Sequence, residues 1–166
     1  MEIAHNKRNM NSRYKIFLSI AIIYALFIFY LSSRPNSGDP LGILDLLDLE
    51  KLKDMLKSIE HSDMRFLLYP FYFFYQYPDK VMHTILYAGF GFVVYLTLKH
   101  SSNSTLRNYA FIAAIIIGTV YGASDEFHQS FVPGRTANIK DLYADIIGLT
   151  LAQTIIFIKD KLYLKA

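Results

Sequence analysis

The side chains best suited to chemistry in this sequence are concentrated between Gly122 and Gly148. This stretch lies between two long apolar runs, and a carboxylate placed at the end of a membrane-length helix is costly to desolvate. Such acids usually face the interior of a helix bundle or a polar cavity, where they mark a functional site. The stretch holds Asp125, Glu126, His128, Gln129, Arg135, Asp141 and Asp145.

A second group of polar residues lies at the start of an earlier apolar run. The group consists of Asp79, Lys80, His83 and Tyr87. Residues four apart on a helix share a face, which aligns His83 with both Asp79 and Tyr87. An imidazole and a carboxylate supply the groups needed for general acid/base transfer. Lysine adds a positive charge that can hold an anionic phosphate or carboxylate.

The same spacing of four residues applies to the first group. It places Asp125 and Gln129 on one helix face, and Asp141 and Asp145 on one helix face. Asp125 and its neighbour Glu126 diverge by about 100° around the helix, so they cannot both point at one atom. Asp145 lies about 6 Å deeper than Asp141, at 1.5 Å per residue, and a carboxylate at that depth needs a partner. The candidate partners are Arg135, Lys80 and His83.

Composition decides which kind of scaffold must position these residues. Of the 166 residues 53% are apolar, and the charged fraction of 19% is below the roughly 25% of soluble domains. We therefore predict an all-α integral membrane protein, a four-transmembrane-helix bundle with spanning helices at about residues 16–31, 81–98, 109–124 and 141–158. The first of these runs lacks a small-x-small cleavage pattern, which favours a retained helix over a signal sequence.

The remaining composition excludes several other classes of protein and site. There is no cysteine, which excludes disulfides, thiolate zinc sites and cysteine nucleophiles. No basic groove with interleaved aromatic residues is present, so we predict no nucleic-acid partner. The expected partners are membrane lipids.

The connection between the first two spanning helices, residues 41–78, is predicted to be an external segment of the single membrane domain 1–166. Leucines recur at helical spacing through residues 41–60 while acids and lysines occupy the other faces, which predicts an amphipathic interfacial helix. Residues 66–78 are dominated by Phe and Tyr and are too short to span, which favours a place at the headgroup level.

The distribution of basic residues predicts cytoplasmic N- and C-termini in a plasma-membrane, multi-pass protein. With that orientation nine Lys and Arg residues lie inside and eight outside. Four of the eight fall in the long external connection, where the positive-inside rule gives them little weight, so the effective comparison is nine against four. The polar ends of the second, third and fourth spanning helices then meet on the extracytoplasmic side.

We therefore predict one polar pocket built from these three helix ends. The acid/base groups assigned to it are His83, Asp125, Glu126 and Asp141, and the residues assigned to ligand binding are Lys80, Tyr87, Gln129, Arg135 and Asp145. No compact metal-binding motif such as H-E-x-x-H is present. A divalent metal is therefore only a secondary hypothesis for the cofactor, and the metal ligands stay unassigned.

The two groups together resemble the VanZ family of small multi-helix membrane proteins. The matching blocks are Asp79-Lys80-x-x-His83-x-x-x-Tyr87 and Asp125-Glu126-x-x-Gln129-x-Phe131-x-Pro133-Gly134-Arg135, followed by Asp141, Asp145 and Gly148. Many members of that family carry Asn where this chain has Asp145, and a glycine-like small residue where it has Ala152. The resemblance implies a cell-envelope protein associated with resistance to glycopeptide antibiotics such as teicoplanin, without implying a reaction.

Three interpretations of the pocket are open from the residues alone. It is the site of an envelope enzyme acting on an anionic lipid-linked or peptidoglycan-related substrate, or a non-catalytic site that binds such a ligand or the antibiotic. In the third interpretation the charged cluster is an ion-pair network that only fixes the helices relative to one another. Neither the ligand nor the oligomeric state follows from the sequence.

Overall fold

The computed structural model describes residues 2–35, 54 and 77–163, with side chains described for residues 12–35, 54 and 77–162. Within these ranges the chain is helical with short connections. The helices are α1 (Glu2–Ser32), α2 (Pro78–Lys99), α3 (Ser104–Asn108), α4 (Ala110–Gln129) and α5 (Ile139–Tyr163).

Within the described ranges, four helical segments are long and apolar enough to cross a membrane. They have 20 to 24 residues, and about 20 residues suffice for a hydrocarbon core of roughly 30 Å. The predicted all-α membrane protein with four spanning helices is thereby confirmed. The segments are Ser12–Ser32, Pro78–Lys99, Ala110–Gln129 and Ile139–Leu162.

The external segment predicted for residues 41–78 lies outside the described residues, apart from Asp54 and the last two positions. Its predicted amphipathic helix and aromatic belt therefore stay predictions. Large apolar side chains are exposed on all four spanning segments, as expected for helices that contact lipid. Examples are Ile23, Ile85, Val120 and Ile155.

Helix α2 occupies the centre of the bundle, because it packs against α1, α4 and α5. Its buried side chains Tyr87, Phe90 and Val94 form the core together with Leu149 from α5 and Ala114 from α4. Helix α1 joins this core through a hydrogen bond from Tyr121 Oη in α4 to the carbonyl oxygen of Ala25, 2.6 Å long. The central position of α2 places its first turns between the ends of α4 and α5.

The connection between α4 and α5 is a tight turn. The amide of Arg135 donates to the carbonyl oxygen of Val132 at 3.0 Å, and Gly134 has φ 79°. Pro133 and Gly134 thus occupy the two central positions of a type II turn, in which the second requires positive φ. This turn returns the chain to the same end of the bundle. There Asn138 Oδ1 accepts from Lys140 N at 3.0 Å and caps α5.

Candidate functional site

One polar contact of the site joins α2 to α5 through His83 and Asp145. Their Nδ1 and Oδ1 atoms are 2.8 Å apart, and Asp145 has no exposed surface. A carboxylate can only accept a hydrogen bond, so the imidazole donates from Nδ1 and keeps its lone pair on Nε2. Of the three partners considered from the sequence, His83 is therefore the one that hydrogen-bonds the buried carboxylate.

Lys80 lies one turn before His83, and its ammonium group contacts two carboxylates. Nζ is 2.5 Å from Asp79 Oδ2 and also forms an ion pair with Asp141. The lysine side chain is only 14% exposed. Its positive charge thus joins the start of α2 to the start of α5. Because these carboxylates already neutralise the ammonium group, it attracts an outside ligand less strongly.

The two neighbouring acids at the end of α4 face different surroundings, as their divergence around the helix predicts. Asp125 accepts from Gln129 Nε2 at 2.9 Å within the same helix. Glu126 Oε2 accepts from the backbone amide of Asn138 at 2.7 Å, just ahead of α5. Both side chains are buried, yet Asp125 Oδ1 and Glu126 Oε1 have no hydrogen-bond partner among the described residues.

A cavity opens between α1, α2 and the end of α4, and it brings most of the remaining predicted residues together. Asp79, His83, Tyr87, Asp125, Gln129 and Arg135 line it. About 40 Å³ of it is open to water-sized spheres, which is room for a few water molecules at roughly 10–15 Å³ each. The cavity therefore has room for a small group, such as a terminal phosphate, a carboxylate or an ion.

The sequence interpretation missed the contribution of α1 to this cavity. Ile28, Leu31 and Ser32 line the side opposite the acids, and Ser32 Oγ is buried without a hydrogen-bond partner in the described part of the chain. Apolar residues surround the spanning part of α1 on every side, so the sequence does not predict which of its faces lines the cavity. The cavity is consequently apolar on one side and strongly polar on the other.

His128, the histidine of the first polar stretch, lies outside the cavity. Its Nε2 atom is 3.0 Å from Ser33 Oγ, and its ring stacks on Phe29 with centroids 4.4 Å apart. These contacts join the end of α4 to the end of α1. We assign His128 to packing between the two helices.

The balance of charge in this region is negative. Five carboxylates and two permanent cations lie around His83 within the described residues, and the imidazole is a third cation only when protonated. Three of these groups, His83, Glu126 and Asp141, each offer a ligand atom within 4.8 Å of the other two. The acids are Asp79, Asp125, Glu126, Asp141 and Asp145, and the cations are Lys80 and Arg135.

A comparison with protein families places these features in a known group. The model of the VanZ/LLP1 family matches residues 15–160 of the chain. This range covers nearly all of the four spanning segments and every residue of the site. Neither the curated proteins nor the solved structures include a match to this chain.

Proposed function

This chain belongs to the VanZ/LLP1 family, and we propose that its polar cavity recognises the anionic group of a lipid-linked or peptidoglycan-related ligand of the cell envelope. The protein is a multi-pass membrane protein. In our proposal both termini are cytoplasmic and the cavity lies at the extracytoplasmic end of the bundle, within reach of such ligands.

The two-sided lining of the cavity is the observation that carries this proposal. Ile28, Leu31 and Leu86 supply apolar surface, while His83 and Arg135 supply polar atoms within the same small space. A ligand with a hydrocarbon chain and a charged head matches this arrangement, because each part meets a surface of its own kind. A planar guanidinium such as that of Arg135 suits a phosphate or a carboxylate in particular.

Catalysis at this site is a second candidate, and the pair of His83 and Asp145 favours it. A carboxylate that accepts from Nδ1 fixes the tautomer of the imidazole, so Nε2 is available to take a proton from a bound group. Glu126 and Asp125 are the nearby carboxyl groups that can complete acid/base transfer. The ligand would then be a substrate, and purified protein would release product from it.

A purely structural role is the alternative to both proposals, and Lys80 illustrates it. Its ion pair with Asp141 holds α2 against α5, its ion pair with Asp79 lies within α2, and neither pair needs a ligand. Substitution of a cavity residue separates the alternatives, because a structural network predicts loss of folding, whereas a binding site predicts loss of ligand in a folded protein.

Arg135→Gln is expected to weaken binding of a polyprenyl phosphate by about tenfold or more, since a hydrogen bond to a charged group contributes about 1.5–3 kcal/mol. Native mass spectrometry of the protein in nanodiscs containing that lipid measures the bound fraction. In a teicoplanin-susceptible host, the same variant should confer less protection than the wild type, as judged by the minimal inhibitory concentration.

Lys140→Gln is the matched control for this prediction. Lys140 is an exposed cation in the first turn of α5, at the same end of the bundle as Arg135, and it does not line the cavity. It should bind the lipid like the wild type. Equal binding by the Arg135→Gln protein, or a loss that appears only together with aggregation, would contradict the proposed recognition.

The proposed orientation is tested by labelling, which the absence of cysteine makes simple. A cysteine introduced at Thr136, in the exposed connection between α4 and α5, should react with a membrane-impermeant maleimide on intact cells. A cysteine at Ser102, an exposed position after α2, should react only after the cells are opened. The reverse pattern would put the cavity on the cytoplasmic side.

A further inference from the structure

We propose that this protein binds one divalent cation of the Zn²⁺ or Mn²⁺ class through His83, Glu126 and Asp141. The three residues come from α2, α4 and α5, so the ion would join the ends of all three helices. The ligand atoms are Nε2 of the imidazole, Oε1 of Glu126 and one carboxylate oxygen of Asp141.

The separation of the three side chains suits a common ion. One ligand atom of each residue lies within 4.8 Å of the other two. Ligand atoms that all bind one ion at roughly 2.0–2.2 Å lie at most about 4.4 Å apart. A small approach of these side chains would therefore bring one ligand atom of each residue within coordination distance of a common ion.

The hydrogen bonds of Glu126 are an independent observation that points to a ligand. Its side chain is 6% exposed, and only one of its two oxygens has a partner, the amide of Asn138. The other oxygen, Oε1, is buried with no hydrogen-bond partner among the described residues. A buried carboxylate oxygen left without a partner is costly, and a bound cation would remove that cost.

The contact between His83 and Asp145 has the arrangement found around metal-binding histidines. Such histidines usually donate the second ring N–H to a carboxylate or a carbonyl, which fixes the tautomer and orients the ring toward the ion. Here Nδ1 donates to Asp145 at 2.8 Å, which leaves the Nε2 lone pair for the cation. Asp145 would thus be a positioning residue for the proposed ligand His83.

The charge of the region also favours a cation of charge two. The five carboxylates exceed the two permanent cations, Lys80 and Arg135, and an uncompensated buried negative charge is strongly unfavourable. Lys80 contacts Asp141 and so competes with the ion for that carboxylate. The mixed set of one imidazole and two carboxylates suits Zn²⁺ or Mn²⁺ better than Ca²⁺ or Mg²⁺, which prefer oxygen ligands only.

Three protein ligands leave at least one coordination position for water or for an outside ligand. His83 also lines the cavity, so this open position would lie next to it. A cation there would explain how a region rich in carboxylates can attract an anionic headgroup.

The proposed cation site and the proposed lipid recognition are tested separately. Cation binding needs no lipid, so the cation proposal can fail while lipid recognition holds, and the reverse is also true.

The test is a titration of the purified full-length protein in detergent, stripped with a chelator and then dialysed. Calorimetry with ZnCl₂, and the electron paramagnetic resonance signal of free Mn²⁺, should each show one saturable site per chain. Glu126→Gln and His83→Gln should each weaken binding by about tenfold or more. Asp160→Asn and His128→Gln remove an acid and a histidine outside the three ligands, so they should bind like the wild type.

Lys80→Met provides a result that a folding defect cannot imitate, because removal of the competing ammonium should tighten cation binding several-fold. Absence of a saturable site in the wild type would overturn the proposal, and so would unchanged affinity in the Glu126→Gln protein. Ca²⁺ at the concentration that saturates with Mn²⁺ should bind much more weakly. Equal affinity for the two ions would show that the imidazole is not a ligand.

Discussion

His83→Leu is expected to lower the free energy of unfolding by about 3–5 kcal/mol, the range found when one partner of a buried charged pair is removed. The reason is Asp145, which has no exposed surface and whose hydrogen bond to a side chain comes from His83. Leucine supplies no donor, so the carboxylate would remain buried without one. The loss should appear in denaturant titrations of the protein in detergent, followed by circular dichroism.

A second substitution distinguishes this cause from simple loss of packing. Asp145→Asn keeps the shape of the side chain and can still accept from Nδ1 of a neutral imidazole, so alone it should destabilise little. Combined with His83→Leu it removes the stranded charge and should recover part of the loss, which a double-mutant cycle measures.

The control is His100→Leu, at the opposite end of α2. The Nδ1 atom of His100 lies 2.8 Å from the carbonyl oxygen of Leu96, within its own helix, and no buried carboxylate depends on it. This variant should lose much less stability than His83→Leu. Equal losses in the two variants would show that Asp145 does not need His83.

The role of Asp145 follows from the same contact. Asp145 carries a negative charge that an asparagine at this position would lack. In this structure the extra charge lies directly against the imidazole of His83. An aspartate there can stabilise a protonated His83 or strengthen it as a ligand, which an amide cannot do to the same extent.

The four spanning helices and the meeting of their polar ends could be predicted from the sequence because they depend on local properties. An apolar run of about 20 residues specifies a spanning helix wherever it occurs. When the chain crosses the membrane an even number of times between two polar groups, both groups lie on the same side of the membrane. The end of the third spanning helix was harder to predict from the sequence. Helix α4 continues past Ser124 to Gln129, because Asp125 and Glu126 are buried in the bundle and do not end the helix.

The contact partners of the site depended on information that the sequence does not carry. Which face α1 turns toward the cavity depends on packing, since apolar residues surround the whole helix. The pairing of His83 with Asp145, and of Lys80 with Asp141, depends on the relative height and rotation of α2 and α5. Small changes in that rotation would exchange the partners.

The relative position of α2 and α5 is fixed in turn by small residues. Ala144, Gly148 and Ala152 recur every four residues on one face of α5, and all three are buried. The Thr84 hydroxyl of α2 lies 3.2 Å from the carbonyl oxygen of Ala144 and 2.9 Å from that of Lys80 in its own helix. Small residues at this spacing let the backbones of two membrane helices approach closely, which is a main source of their association.

Gly148→Ala is expected to lower the free energy of unfolding by about 1–3 kcal/mol, the usual effect of overpacking. A Cβ atom at residue 148 would collide with the carbonyl oxygen of Thr84 and lie 3.0 Å from the amide nitrogen of Ala88. Both are backbone atoms within α2, so no side-chain rotation can relieve the collision. The two helices would have to separate.

Gly89→Ala is the matched control, because it adds the same methyl group to a spanning helix. There the new Cβ would meet the hydroxyl end of the Tyr24 side chain, which can rotate away. Separation of α2 from α5 should also draw His83 away from Asp145 and weaken divalent-cation binding, an effect that Gly89→Ala should not have. If Gly148→Ala unfolds at the same denaturant concentration as Gly89→Ala and binds the cation equally well, close approach of these two helices does not position the site.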